Sequence, residues 1–461
     1  MRPPVLRRPL PWADPEDVAG ALAAEGDVVW LDAGPEATRG RSVLSWGDRV
    51  TASARDGDLG RLWALLRDDL ATPRDDADPL GWAGWLGYGL GTWLLDRDAA
   101  VGPGRGSRPS VAAGLVDDPS APPDLALLRT DRALVFDHAA RRVELVALGA
   151  PAERWAEEVA STWSSIPPLP PPGPPEARRG PGAVRRRHSD DDYLALVARC
   201  QAAIAEGDAY VLCPTTSYVV AGPVDALEAY RRLRRSSPAP HASFVRIGGT
   251  SVAGASPESF LEVDVDGVVT SSPIKGTRPR SSDPAVDARH AADLASSEKE
   301  LAENLMIVDL VRNDLTRVAR LGSVAVDELF AVRSYRSVHQ LVSTVRAQLA
   351  PGLGAVDVVE AAFPAGSMTG APKRRAVELL SRWEGAPRGV YSGAVGRFGL
   401  DGSASWAMAI RSVVVVDGVA TVGVGGGVTE SSVPRDELAE VTWKAAALLR
   451  VLGVDGGAAS S

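Results

Sequence analysis

Cysteine is nearly missing from this chain: 461 residues carry two, Cys200 and Cys213. Two are too few for a disulfide framework and have no metal-site spacing, which points to a reducing, cytoplasmic setting. Also missing is any apolar run long enough to span a membrane. The start, MRPPVLRRPLPWADPED, breaks on prolines and acids before any apolar segment, so it does not read as a signal peptide. Positive charge is not in excess either. A net charge of -9 argues against nucleic acid as the main partner, but leaves small anions open, because local arginines decide that. Fold repeats and regular βαβ alternation are absent too. What is left, 45% hydrophobic and 24% charged, is an ordinary globular composition, long enough for one large domain or two ordinary ones.

Breakers divide the chain. Residues 165–187 contain PPLPPPGPPEARRGPGAVRRR, which cannot continue a helix or central strand and reads as a solvated linker. It separates an N-terminal region, 1–164, from a C-terminal region, 188–455. A second breaker-rich stretch runs over 102–123. The N-terminal region shows short strands at 27–31, 133–136 and 143–148, and GWAGWLGYGLGTW from Gly81 reads as tight packing around turns. After the linker, Ser189 caps an acidic first turn and opens a helix to about Glu206. Strands are expected at 209–212, 242–247, 251–255, 393–398, 406–416 and 420–424, with helices over 297–319 and 437–452. The mixture predicts an α+β protein whose large β-sheets pack face to face, with helices outside.

Chemistry concentrates in the C-terminal region. Lys275, in Pro-Ile-Lys-Gly-Thr, follows a β-rich run and precedes Gly276, a residue that lets backbone approach a ligand. A lysine packed into the structure loses hydration, and its neutral amine is a nucleophile; a solvated loop lysine is the plainer reading of the pentapeptide alone. Glu300 and Glu303 share one helix face, as do Glu437 and Glu440, and Glu258 follows a strand. Each alone reads as a surface carboxylate, yet carboxylates are the ligands magnesium uses. Gly425, Gly426 and Gly427 are either a flexible turn or a backbone cradle for an anion. Arg411 in AMAIRSVVVV wants an anion, supplied by a structural ion pair or by a ligand. His339 alone reads more readily as a satisfied core residue. Residues 366–373, GSMTGAPK, lack the Gly-Lys-Ser/Thr ending of a phosphate loop, which excludes that class of NTPase.

Taken in order, SPESF, PIKGTRPR, AENLMIVDLVRND, SVHQLVSTV, FPAGSMTGAPK, RGVYSGAVG, IRS, GVGGGV and ELAEVTWKA resemble the chorismate-utilising enzymes over roughly 190–452. That family includes anthranilate, aminodeoxychorismate, isochorismate and salicylate synthases. WLDAG and GWAGWLGYGLG extend a weaker resemblance to the N-terminal region. The resemblance implies that Glu303 and Glu440 bind Mg2+, with Glu300 and Glu437 beside them. It implies that Arg411, Tyr391 and the backbone at Gly426 and Gly427 clamp a substrate carboxylate. His339 and Thr369 would line the ring pocket, Lys444 would support the charge network, and Glu258 would be the acid for the departing C4 hydroxyl. Lys275 stands where anthranilate synthases carry alanine and matches the aminodeoxychorismate branch. The expected reaction joins chorismate and ammonia into 4-amino-4-deoxychorismate, with Lys275 attacking C2 and nitrogen adding at C4. Burial and Mg2+ are both expected to lower the lysine's pKa.

Neither cysteine sits in a nucleophile turn, so a separate glutamine amidotransferase is implied as the ammonia source. Two departures stand out. Pro214 in Cys-Pro-Thr-Thr removes a backbone donor from the pocket wall. Trp30-Leu31-Asp32-Ala33 lacks the serine of the family's feedback site, which argues against tryptophan regulation. The rival readings are an anthranilate or isochorismate synthase, the second weakened by Val211 where a lysine is expected, and a non-catalytic scaffold subunit, opposed by the intact set of Glu258, Lys275, Glu303, Arg411 and Glu440.

Overall fold

The structure is a computed structural model and describes residues 3–54, 57–101, 121–178, 183–336 and 338–454. Most of the second breaker-rich stretch, residues 179–182 of the first and Ser337 lie outside the described residues.

Among the described residues nineteen strands join one hydrogen-bonded network. Val28–Asp32 pairs antiparallel with His241–Ile247, and Gly81–Leu86 with Ala394–Gly399. The two regions flanking 165–187 therefore share their sheets. Side chains follow the period of two. On Gly81–Leu86, Trp82 and Leu86 turn to one core, while Ala83 and Trp85 turn to another with Val29, Leu128, Val245, Val252 and Val414. That second core draws on strands from both regions and forms the layer between two sheet faces. Helices cover the outer faces. Val18, Tyr193, Tyr230 and Leu448 pack over one side with Trp30 and Phe244; Trp63, Val308 and Val359 pack over the other with Phe260 and Trp406. The expected α+β sandwich is the fold observed.

Local signals explain most elements. Ser189 and Asp192 form a reciprocal capping box at the start of Asp190–Ala205. Pro434 opens the last helix, Pro434–Val451, where a missing N–H costs nothing. Differences have physical reasons. The Trp/Gly segment is a buried strand, Gly81–Leu86, followed by a helix, Tyr88–Val101; its glycines let strands approach, since a Cβ on Gly84 would stand 2.1 Å from the Ala126 carbonyl oxygen. The 165–187 segment is not a free linker. Arg178 donates to the carbonyls of Leu452, Ala221 and Pro223, and Val184–Arg186 adds a strand beside Thr215–Val220.

The expected strand at 406–416 is two strands, Ala404–Met408 and Ser412–Val416. The first pairs with Ser259–Val263, the second with Thr250–Ser256. Both chains therefore break where they change partners, and the breaks hold Glu258 and Arg411. The Met408 N–H donates to the Glu258 carbonyl at 3.0 Å and the Ala255 N–H to the Arg411 carbonyl at 3.1 Å, with Arg411 in the left-handed region at φ 50°. A bulky residue rarely adopts that conformation without a reason.

A second fixed point is the buried pair Arg388–Glu384. Arg388 also donates to the carbonyls of Met368 and Cys213, and Glu384 accepts the Thr215 N–H at 2.9 Å. Removing one partner leaves a buried charge unanswered. Glu384→Ala is expected to lower unfolding stability by about 3 kcal/mol in urea titration, whereas removal of the exposed pair Arg312–Asp309 is expected to change it by less than about 1 kcal/mol.

Candidate active site

The site is built where a strand, two helices and a glycine turn meet. Strand Ile274–Pro279 pairs with Val338–Gln348, and its register slips between Lys275 and Thr277, at Gly276. Gly276 has φ 76°, and a Cβ there would press on Leu294 and Glu300. The bulge leaves Lys275 against the helix Glu298–Thr316, with its Nζ 3.8 Å from Glu303 Oε2. The glycine turn closes the other side: a Cβ on Gly427 would lie 3.2 Å from Lys275 Nζ and 3.7 Å from Glu303 Oε2. Glycine allows the backbone that close approach.

The C-terminal helix supplies the remaining acids. Glu437 is buried, accepts from Ser432 Oγ at 2.8 Å, and lies 3.4 Å from Lys299 Nζ. Lys299 also lies 4.0 Å from Glu303 Oε1. Glu440 is more exposed and pairs with Lys444 at 2.6 Å; Lys444 also donates to the Gly425 carbonyl at 2.9 Å. Glu300 is 3.5 Å from Arg278. Four carboxylates, Glu300, Glu303, Glu437 and Glu440, thus meet three ammonium groups and Arg278 where the two helices face the strand.

The setting changes the groups' proton affinities. Burial pushes the Glu258 carboxyl up to about 7, although Ser367, Lys275 and Lys444 pull the other way. Burial also raises Glu303, opposed by Lys275 and Lys299. Lys275 departs from expectation. Burial acts to lower its pKa, but Glu303, followed by Cys213, Glu258 and Glu440, outweighs burial and holds it above the ordinary lysine range. The ammonium is the stable form while those carboxylates face it.

On the other flank stand donors that have no acceptor among the described residues. Among the described residues the Arg411 guanidinium has no carboxylate or hydrogen-bond acceptor; it rests over the Trp443 ring at 5.2 Å and lies near Tyr391 and Glu440 electrostatically. Tyr391 is buried against Gly423, and among the described residues its hydroxyl has no partner and no carbonyl takes the Gly427 N–H. The Gly426 N–H, by contrast, reaches the Pro214 carbonyl at 3.4 Å, so the proline that removes one donor supplies an acceptor.

The structure thus brings together Glu258, Lys275, Glu303, Glu437, Glu440, Lys444, Gly426 and Gly427, with Tyr391 and Arg411 alongside. His339 and Thr369 are committed elsewhere. The His339 ring bonds Asp287 at 3.0 Å and Ser334 at 2.8 Å, because the strand register places it under the helix Pro284–Ser296. The fully buried Thr369 hydroxyl donates to the carbonyls of Ala365 and Gly366. A cavity of about 630 Å³ borders Tyr391 and Gly423 but is lined by Arg185, Arg187 and Arg388, not by Lys275, Glu258 or Glu303. The convergence of reactive groups, rather than that volume, marks the site. Sequence reasoning passed over Lys299, although it stands four residues before Glu303 on one helix face, and Trp443, Arg388 and Glu384, whose partners are remote or irregularly placed.

Residues 27–450 match the model of the chorismate binding enzymes. The chain belongs to that family. An aminodeoxychorismate synthase of Streptomyces griseus is 45% identical over 401 residues, 84% of this chain and 53% of that protein. One of Streptomyces pristinaespiralis is 47% identical over 339 residues, 72% of this chain and 47% of that protein. The chain therefore spans about half the length of these curated relatives. Among solved structures, anthranilate synthase component I of Streptococcus pneumoniae TIGR4 superposes with a TM-score of 0.75 at 26% identity, covering 90% of this chain and 93% of that one.

The close packing of Tyr391 yields a prediction. A Cβ on Gly423 would stand 2.2 Å from Tyr391 Cγ. Gly423→Ala is expected to displace that ring and raise KM for the substrate at least ten-fold with a smaller change in kcat. Equal KM values would separate Tyr391 from substrate binding.

Proposed function

We propose that the chain converts chorismate and ammonia into 4-amino-4-deoxychorismate and water. The observation that carries this reading is that donors unpaired among the described residues, Arg411, Tyr391 and the Gly427 N–H, border the cluster that holds Lys275, Glu258 and Glu440. Chorismate is a dianion with a leaving hydroxyl. It needs a clamp for one carboxylate, a counter-charge for the other, an acid and a nucleophile.

Magnesium fits the second carboxylate's place. Among the described residues no three His, Cys, Asp or Glu side chains are close enough to form a cation cage. Magnesium does not require one, since it typically uses one or two protein carboxylates and completes its shell with water and substrate oxygens. Glu303 and Glu440 would hold it, with Glu300 and Glu437 beside them. Bound there, it would anchor the ring carboxylate and take up negative charge that otherwise keeps Lys275 protonated.

The neutral Lys275 amine then attacks C2. Both conjugated ring double bonds shift and the C4 hydroxyl leaves as water, carrying a proton from Glu258. Ammonia adds at C4, both double bonds shift back, and the Lys275–C2 bond breaks. The Glu258 carboxylate takes the proton that ammonia sheds, and the amine is restored. Position 275 decides the regiochemistry, because without an amine there ammonia itself is the nucleophile available to C2. Both cysteines are buried, and burial pushes both thiols up. That supports ammonia arriving from a separate glutamine amidotransferase, and the greater length of the relatives leaves room for such a unit in them.

Product analysis with chorismate, ammonium and Mg2+ tests the assignment. The parent is expected to give the C4 amine. Lys275→Ala is expected to lose at least a hundred-fold of that activity and to place residual nitrogen at C2. Lys275→Arg is expected to be inactive, since a guanidinium stays protonated. Parent-like C4 amination by Lys275→Arg contradicts the scheme.

Glu258 sets a pH limit. The acid form is present below a pKa of about 7 and is lost as pH rises through it. The scheme also needs neutral Lys275, whose fraction rises with pH. The rate corrected for free ammonia is therefore expected to rise up to about pH 7 and level off above it, whereas Glu258→Gln is expected to lose most activity and its residual rate to keep rising. A corrected rate that keeps rising through about pH 7 in the parent as it does in Glu258→Gln removes Glu258 as the acid.

A further inference from the structure

Lysine is scarce in this chain. Only four of its fifty basic side chains are lysine: Lys275, Lys299, Lys373 and Lys444. Lys373 is buried on Asp314 at 2.7 Å. The other three surround the acids of the two helices. Lys275 and Lys444 have roles in the scheme above, and Lys299 has none. Yet its Nζ lies 3.4 Å from Glu437 on one helix and 4.0 Å from Glu303 on the other, and it bears electrostatically on Glu440. Among the described residues its ion pairs link one helix to the other.

We propose that Lys299 is a built-in, displaceable counter-ion of the carboxylate cluster, holding the two helices together until a divalent cation takes its place. The inference rests on the metal assignment above. Three features support displacement rather than a permanent pair. Neither contact is a close hydrogen bond: 3.4 and 4.0 Å are loose beside the 2.6 Å of Lys444 on Glu440. The Lys299 side chain is 45% exposed, while Glu303 and Glu437 are 9% and 2% exposed, so the lysine alone can swing into water. Glu437 keeps the Ser432 hydroxyl when the ammonium leaves, so it is not stranded. A single point charge on a flexible stem suits this exchange better than a planar fork that grips two oxygens.

Two opposing effects follow. Lys299 screens repulsion among Glu303, Glu437 and Glu440, and it competes with the metal for the same oxygens. Lys299→Met keeps much of the stem and removes the charge. In the chelator-stripped full chain, Mn2+ binding followed by electron paramagnetic resonance, with Mg2+ as competitor, is expected to tighten about ten-fold in Lys299→Met. The same variant is expected to melt several degrees lower without metal and to recover on adding Mg2+. Lys299→Arg, which keeps the charge, is expected not to tighten binding. Unchanged or weaker Mn2+ affinity in Lys299→Met overturns the competition. An unchanged metal-free melting temperature overturns the screening role. A parent that binds no Mn2+ removes the metal assignment and with it the exchange, while the melting comparison still reports on Lys299 as a counter-ion.

Discussion

The site depends on one electrostatic constraint: Lys275, Glu258 and Glu303 are partly or wholly withdrawn from water within reach of one another. An isolated charge there would be too costly to keep. Each group is tolerable because its neighbours carry the opposite sign, and each one's proton affinity is therefore set by the others. Burial alone would favour a neutral lysine, and burial alone would favour neutral carboxyls. Together they leave Lys275 charged and Glu258 balanced near neutrality. In the proposed reaction negative charge has to move away from the lysine, and the cation proposed between Glu303 and Glu440 is what would move it.

The fold serves this constraint by breaking its own regularity in a few places. Paired strands change partners at Glu258 and Arg411, so both residues emerge from adjacent ends of sheet segments. A bulge at Gly276 re-aims the strand around Lys275, as bulges beside active sites commonly do. The turn at Gly427 has no side chain between its backbone and the lysine. The rigid sandwich around these breaks fixes them. Arg388 and Glu384 extend that rigidity to the opposite wall, tying the Cys213–Thr215 backbone to the loop carrying Met368.

Much of this was legible in the sequence because periodicity and capping are local. The capping box at Ser189 and the acids three apart on two helices can be read without knowing what lies opposite. The strand breaks could not. Residues 404–416 are continuous in apolar character, and only the change of pairing partner at Arg411 interrupts them. His339 shows the same limit. Its position in a motif says that it is near the site, but whether the ring faces the pocket or the Pro284–Ser296 helix depends on register. The lysine's proton affinity was the third failure, since burial is visible in a sequence and the sum of four surrounding acidic groups is not.

The central claim is that Lys275 forms a bond to the substrate. Intact-mass spectrometry of the full chain with chorismate and Mg2+, with ammonia withheld and the sample quenched by acid, tests it most directly. The account predicts an adduct of chorismate less water that peptide mapping places on Lys275 and that disappears when ammonia is supplied. Turnover with ammonia but without such an adduct, or an adduct on Lys299 or Lys444, contradicts it.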